Sequence, residues 1–192
     1  MEQFHFLPVP ELSDGVVLVR LHECVPHRKG NWAHSYNFFG YLPHLFHPVG
    51  HVHLRIGMNE DIYFGGNVGY GVQEAYRGHG YAERFCRLIP PVARAHGMTE
   101  LCITTTADNT ASVRTIEHLG AVFVGESKLP RYNELYKRGM RYVVRYMWDI
   151  SGYAPLAHQP PEKELPELHY SDLLNRMNSS DRLTSKREEH EK

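Results

Sequence analysis

Residues 69–82 read Gly-Tyr-Gly-Val-Gln-Glu-Ala-Tyr-Arg-Gly-His-Gly-Tyr-Ala, and no other run constrains the fold as much. A strand that passes through a short glycine loop directly into a helix leaves several backbone N–H groups pointing into one space, which makes an anion site. Gly78 and Gly80 can take positive φ or let a ligand rest against the main chain, and Ala82 keeps the first helical turn narrow. The helix dipole adds roughly 0.3–1 kcal/mol for a nearby negative charge. The glycine order is not that of the dinucleotide fingerprint, and the Lys-Ser/Thr ending of a nucleotide phosphate loop is missing. A connection that merely uses glycine would explain the same residues, so the surrounding elements must decide.

Those elements predict an α/β (α+β) fold with a mixed central sheet. Strands are expected at 15–21, 51–57, 62–72, 101–105, 121–125 and 142–148, with a short one near 36–39. In the run at 51–57, HVHLRIG, alternation puts Val52, Leu54 and Ile56 on one face and His51, His53 and Arg55 on the other. A helix is expected over 80–96, broken near Pro90 and Pro91, and a second from Asn109 or Thr110 to Leu119, closed by Gly120. Residues 24–48 mix Pro26, Gly30, Pro43 and Pro48 with Trp32, Tyr36, Phe38, Phe39 and Tyr41, a turn-rich texture without a long helix. The folded domain is expected to span 1–150. Residues 151–192 form a polar, proline-rich tail with one candidate short helix at 168–177.

With 21 Lys and Arg against 22 Asp and Glu, no overall field draws the chain to nucleic acid or an anionic membrane. The three cysteines, Cys24, Cys86 and Cys102, form neither a disulfide framework nor a metal spacing. No secretory signal or membrane-length apolar run is present, and the expectation is a soluble cytoplasmic protein. Among 14 histidines, His44, His47, His51 and His53 lie close together, but no cysteine companion or established zinc spacing accompanies them, and no metal site is expected.

Arg77-Gly78-His79-Gly80-Tyr81-Ala82 resembles the coenzyme A signature of the GNAT acetyltransferase superfamily, in which Arg or Gln precedes Gly-x-Gly or Gly-x-Ala. A second stretch is similar to that superfamily's following helix: Asp108-Asn109-Thr110-Ala111-Ser112-Val113-Arg114, then Ile116 and Leu119-Gly120-Ala121. The resemblance implies an acyl-CoA N-acyltransferase-like sheet with splayed strands and flanking helices, and acetyl-CoA or another acyl-CoA as cofactor. By that resemblance the amides of Arg77, Gly78, His79, Gly80, Tyr81 and Ala82 hold the pyrophosphate. The main chain of Tyr70, Gly71 and Val72 pairs with the pantetheine arm, which Asn109 and Ser112 face. Two departures stand out. Ile116 occupies the position where many members carry a proton-donating tyrosine, and residues 24–48 replace the usual helical pair.

The implied reaction is attack of a neutral primary amine on the thioester through a tetrahedral intermediate, the acceptor being a small molecule or a peptide. The Val72 N–H is the candidate oxyanion donor, Glu126 and Asp61 are candidate proton acceptors, and Tyr132 is the candidate replacement acid. For Glu126 and Asp61, a solvated turn carboxylate is the competing explanation. Trp32, Tyr36, His53 and Arg55 are the candidate acceptor contacts, with Trp32 and Tyr36 lining a cleft that a second copy of the chain could complete as a homodimer. The alternative function is a non-catalytic coenzyme A-binding or regulatory protein that retains the fold.

Overall fold

The computed structural model describes residues 4–28 and 33–157. Among them, the strands are β1 (Leu12–Ser13), β2 (Leu18–Val25), β3 (His34–Tyr41), β4 (Gly50–Ile56), β5 (Val68–Val72), β6 (Glu100–Thr105), β7 (Val122–Lys128) and β8 (Tyr142–Asp149). The helices are α1 (Glu60–Gly65), α2 (Tyr81–Leu88), α3 (Pro90–Ala95), α4 (Thr110–His118) and α5 (Glu134–Lys137), with a 3₁₀ turn at Glu74–Tyr76. The strands form one mixed sheet in the order β1-β2-β3-β4-β5-β6-β8-β7. Only the β5–β6 pairing is parallel.

The main core lies on the face covered by α2, α3 and α4. Val52 and Leu54 point into it from β4, as the alternation predicts, and share it with Phe85 and Ile89. The Phe85 ring seats α2 on the sheet at Gly50, where a Cβ would come within 2.8 Å of the ring. Burial of such a side chain contributes roughly 1.5–3 kcal/mol. A smaller cluster of Phe64, Leu129 and Val143 lies apart from this core.

Several expectations change. Residues 24–48 hold a full strand, β3, whose buried positions Tyr36 and Phe38 alternate with half-buried neighbours. The density of aromatics there reflects a sheet face against the core. Residues 62–72 are not one strand. Asn59 accepts the Ile62 N–H at 2.8 Å and caps α1, with Glu60 and Asp61 in the first turn, and Gly66 at φ 72° ends the helix. The alternation of Ile62 and Phe64 imitated a strand over a helix too short to display its period. The break at Pro90 separates α2 from α3, with proline in the first positions of α3 where a missing N–H costs little. Beyond Ile150 the chain stays attached: Tyr153 packs edge-on against Trp148, and the Leu156 N–H bonds the Pro91 carbonyl at 2.8 Å. The candidate helix at 168–177 falls outside the described residues.

Candidate functional site

β5 pairs with β4 along its whole length, from Leu54↔Val68 to Gly50↔Val72. Its pairing with β6 is a single bridge, Val68↔Ile103, after which the two strands separate. Asn67, fully buried, stands at the vertex. Its Nδ2 donates to the carbonyls of Arg55 at 3.0 Å and Gly57 at 2.9 Å, and its Oδ1 accepts the Cys102 N–H at 2.9 Å. One side chain thus joins the end of β4 to β6 where the gap begins. The bonds Arg55 N–H to Asn67 and Gln73 N–H to Val49 fix the phase of β5. Gly69 and Gly71 direct their main-chain groups to β4, and Tyr70 and Val72 direct theirs into the gap.

A cavity of about 340 Å³ opens in this gap, lined by residues of β5 and β6 and by the start of α4. Tyr70, Asn109 and Ser112 all line it. The Tyr70 hydroxyl is 2.9 Å from Ser112 Oγ, and burial pushes its pKa up to about 12, so it remains a protonated donor. Asn109 Oδ1 caps α4 by accepting the Ser112 N–H at 3.2 Å. Ile116 is fully buried in the core and offers no proton. The phenol that sequence reasoning found missing from this helix is present at the cavity from another element, β5. Its signal was a tyrosine between the two glycines of the strand.

The loop ahead of α2 has Gly78 at φ 83° and Gly80 at φ 73°. No side chain caps α2, and nothing stands within 4 Å of a Cβ placed at either glycine. Open amides at a helix start beside bare glycines suit a pyrophosphate, so the residues present fit coenzyme A. Arg77 braces the loop, donating from Nε to the Val72 carbonyl at 3.1 Å. The His79 ring stacks on Tyr81 and its Nδ1 meets the Arg77 carbonyl at 2.9 Å, which leaves its backbone as the part facing a ligand.

On the sheet face opposite the main core, β4 extends its side chains over β5. A Cβ at Gly71 would come within 2.6 Å of the His51 ring, and one at Gly69 would lie 3.7 Å from both terminal nitrogens of Arg55. The two glycines leave the room that these side chains occupy. His53, between them, is held by Asn37 Oδ1 at 2.8 Å, and its ring lies 4.9 Å from that of His51. With Asn37 accepting, Nδ1 carries the hydrogen and Nε2 the lone pair. Burial, then the neighbouring His51 and Arg55 charges, lowers the His53 pKa to about 4 and keeps the ring neutral. Arg55 lines the cavity and donates to the Gly66 carbonyl at 3.1 Å.

Other expected site residues lie elsewhere. Tyr36 is fully buried on the core face, where its hydroxyl accepts the Leu7 N–H and meets His96 Nε2, each at 2.7 Å. It cannot line an acceptor cleft, because its register partner Leu54 belongs to the same buried face. Trp32 falls outside the described residues. Glu126 is opposite Val144, whereas the cavity-lining Val143 is opposite the next residue, Ser127. Glu126 is exposed on the edge strand β7 and does not line the cavity. Asp61 is exposed in the first turn of α1, and the exposed Tyr132 donates its hydroxyl to Glu60. Neither lines the cavity. Among the described residues no group of His, Cys, Asp and Glu is arranged to hold a metal, and His47 pairs with the Tyr76 hydroxyl at 2.9 Å. No described helix is long and apolar enough to cross a membrane.

A sequence model of the acetyltransferase (GNAT) domain matches residues 23–122, about half of the chain. The match includes β3 and the atypical stretch around it. No curated protein matches by sequence. Among solved structures, the ribosomal-protein-S5-alanine acetyltransferase from Vibrio fischeri is similar in fold, with a TM-score of 0.55 at 16% identity, covering 77% of this chain and 100% of that one. Mycobacterium smegmatis RimJ in complex with CoA-disulfide reaches a TM-score of 0.47 at 17% identity, covering 74% of this chain and 60% of that one.

Proposed function

Because this chain belongs to the GNAT acetyltransferase family, we propose that it transfers an acetyl or other acyl group from coenzyme A to the primary amine of a small molecule or peptide. The observation that carries this reading is the gap between β5 and β6, bridged only at Val68↔Ile103, with the glycine loop and α2 following the open end of β5. Bound there, acyl-CoA supplies an activated acyl group and a thiolate that can leave. The loop amides from Gly78 to Ala82 hold its phosphates, and the gap-facing main chain of Tyr70 and Val72 holds its amide-bearing arm. Of the two gap-facing amides, the Tyr70 N–H is nearer the vertex and farther from the phosphate loop, so it, rather than the Val72 N–H, donates to developing negative charge on the acyl oxygen.

Two side chains manage the protons. His53 Nε2 accepts the proton of the attacking amine, directly or through one water, and the exposed His51 beside it passes that proton to solvent. Tyr70 Oη, kept protonated by burial and oriented by Ser112, donates to the departing sulfur. In this reading these residues take the roles expected from the sequence of Glu126, Asp61 and Tyr132.

The test is calorimetry with coenzyme A, followed by release of free thiol from acetyl-CoA in the presence of an amine and peptide panel. Binding in the micromolar range with amine-dependent thiol release is expected. A folded protein that does not bind coenzyme A would overturn the proposal. Binding without thiol release across the panel would favour the non-catalytic reading.

A further inference from the structure

The cavity is lined by two guanidinium groups, Arg55 and Arg138, and by the hydroxyl-bearing Thr104, Thr105 and Thr106, with no Asp or Glu among the lining residues. Arg55 belongs to the vertex end of the gap, seated over Gly69, and the cavity that Arg138 also lines takes Val68, Gly69 and Tyr70 from β5, whereas the phosphate loop follows the other end of the strand after Val72. The two guanidiniums are therefore in the wrong place to serve the cofactor's phosphates. Arg55 is positioned twice, by its bond to the Gly66 carbonyl at 3.1 Å and by its seat over Gly69.

Arg138 is distinct within its basic loop. Lys137 pairs with Glu134 at 2.6 Å. Arg141 lies 4.0 Å over the Tyr136 ring and donates to the Tyr136 and Met140 carbonyls at 3.0 and 3.2 Å. Of these three cations, Arg138 is the one that lines the cavity. A third guanidinium reinforces the positive potential: Arg145, opposite Thr104 in register, sits 3.7 Å over the Tyr63 ring. Its buried Nε meets no hydrogen-bond partner among the described residues.

A concave site with cations of one sign focuses its field on a ligand of the other, and the guanidinium fork matches a carboxylate in shape and in donor spacing. We infer that the vertex end of the cavity is an anion subsite for the acceptor, and that the preferred acceptor carries a carboxylate close to the amine it presents. For a peptide, this means an acidic side chain within the first residues. The inference rests on the proposed acyl transfer and adds the chemical class of the acceptor.

Two tetrapeptide amides that open Ser-Asp and Ser-Asn, alike in shape and different in charge, provide the test. With the full-length protein and acetyl-CoA, kcat/KM for the acidic peptide is expected to exceed that for the neutral one by about ten-fold, equivalent to about 1.4 kcal/mol. The ratio should shrink several-fold in Arg55→Gln and in Arg138→Gln, and with added salt. Because Arg55 also braces the β4–β5 edge, the exposed Arg138 supplies the variant that leaves folding intact. Equal rates, preference for the neutral peptide, or a ratio unchanged in Arg138→Gln would overturn the subsite. If neither peptide is acetylated, calorimetric binding of both peptides to the coenzyme A-loaded protein decides. Tighter acidic binding that Arg138→Gln removes supports the subsite while the acyl-transfer reading fails; equal or absent binding overturns it.

Discussion

The Tyr70 hydroxyl lies 2.9 Å from Ser112 Oγ, so a side chain of β5 touches the first turn of α4 across the cavity. Two elements of different sequence neighbourhoods hold one phenol in place. Tyr70→Phe removes the donor and keeps the ring. Its kcat is expected to fall by about ten-fold or more, toward the lower range typical of one positioned proton donor. Coenzyme A affinity should change little, since the main chain of β5 is retained. Rescue of kcat by a thioester with a more acidic thiol would identify the lost function as leaving-group protonation. A variant that loses coenzyme A affinity and kcat together would instead make Tyr70 a packing residue.

Asn67 offers a second test, directed at the vertex. Asn67→Ala leaves the buried Cys102 N–H without its acceptor and takes a donor from two carbonyls. Unmade buried hydrogen bonds cost about 1–3 kcal/mol each, and a domain of this size loses roughly 2–4 °C of melting temperature per kcal/mol. A drop of at least about 6 °C in thermal unfolding is expected. Asn67→Asp should be worse near neutral pH, because it aims a second acceptor at the carbonyls of Arg55 and Gly57. An unchanged melting temperature in Asn67→Ala would remove the residue from its role as the pin of the gap.

Gly80 is constrained by its own backbone rather than by crowding. At φ 73° it suits glycine, and no atom lies within 4 Å of a Cβ built there. Replacement by Val imposes a penalty of about 1–2 kcal/mol for the left-handed conformation, and relief of that strain would rotate the amides at the start of α2. The expected result is a melting temperature lowered by a few degrees and coenzyme A affinity weakened at least ten-fold, as read by calorimetry. Full affinity in a folded Gly80→Val would exclude this loop as the phosphate cradle.

Stability should depend on His53 with a definite sign. Its pKa falls from 6.5 in the unfolded chain to about 4 in the folded one, with burial the largest cause. Between these values the unfolded chain binds the extra proton, so stability is fully present above about pH 6.5 and is lost as the pH falls toward 4. His34, His51 and His96 are shifted in the same direction by burial, so His53→Gln should weaken the acid dependence without abolishing it. Denaturant unfolding at several pH values between 4 and 7 measures this. A steeper acid loss in the variant would contradict the assignment.

Much of the fold was legible in the sequence because its signals are local. The alternation of β4, the proline break between α2 and α3, and the capped α4 each follow from a few neighbouring residues. The glycine loop ahead of α2 was legible for the same reason. What stayed hidden depends on register across strands. Tyr36 and Glu126 belong to suitable residue types, but Tyr36 is buried in the core with its partner Leu54, and Glu126 falls on the edge strand β7, outside the cavity lining. Asn67 among glycines gave no sign that it would bond three main-chain groups. Tyr70 appeared as backbone for the cofactor, and only the meeting of β5 with α4 gives its hydroxyl a place. Nothing local distinguishes Arg138 from Lys137 and Arg141; only the fold brings it to the cavity.

Gly69 and Gly71 leave β5 with little lateral surface of its own on the face where His51 and Arg55 lie across it. The strand that offers its main chain to the gap is therefore clothed, on that side, by its neighbour. This separates two properties that most binding strands hold in the same residues. Mutations in β4 can retune charge and shape on the clothed side while the peptide groups of Tyr70 and Val72 stay where they are. If the gap holds an acyl donor as proposed, such a partition would let the acceptor side change without disturbing the backbone that grips the donor.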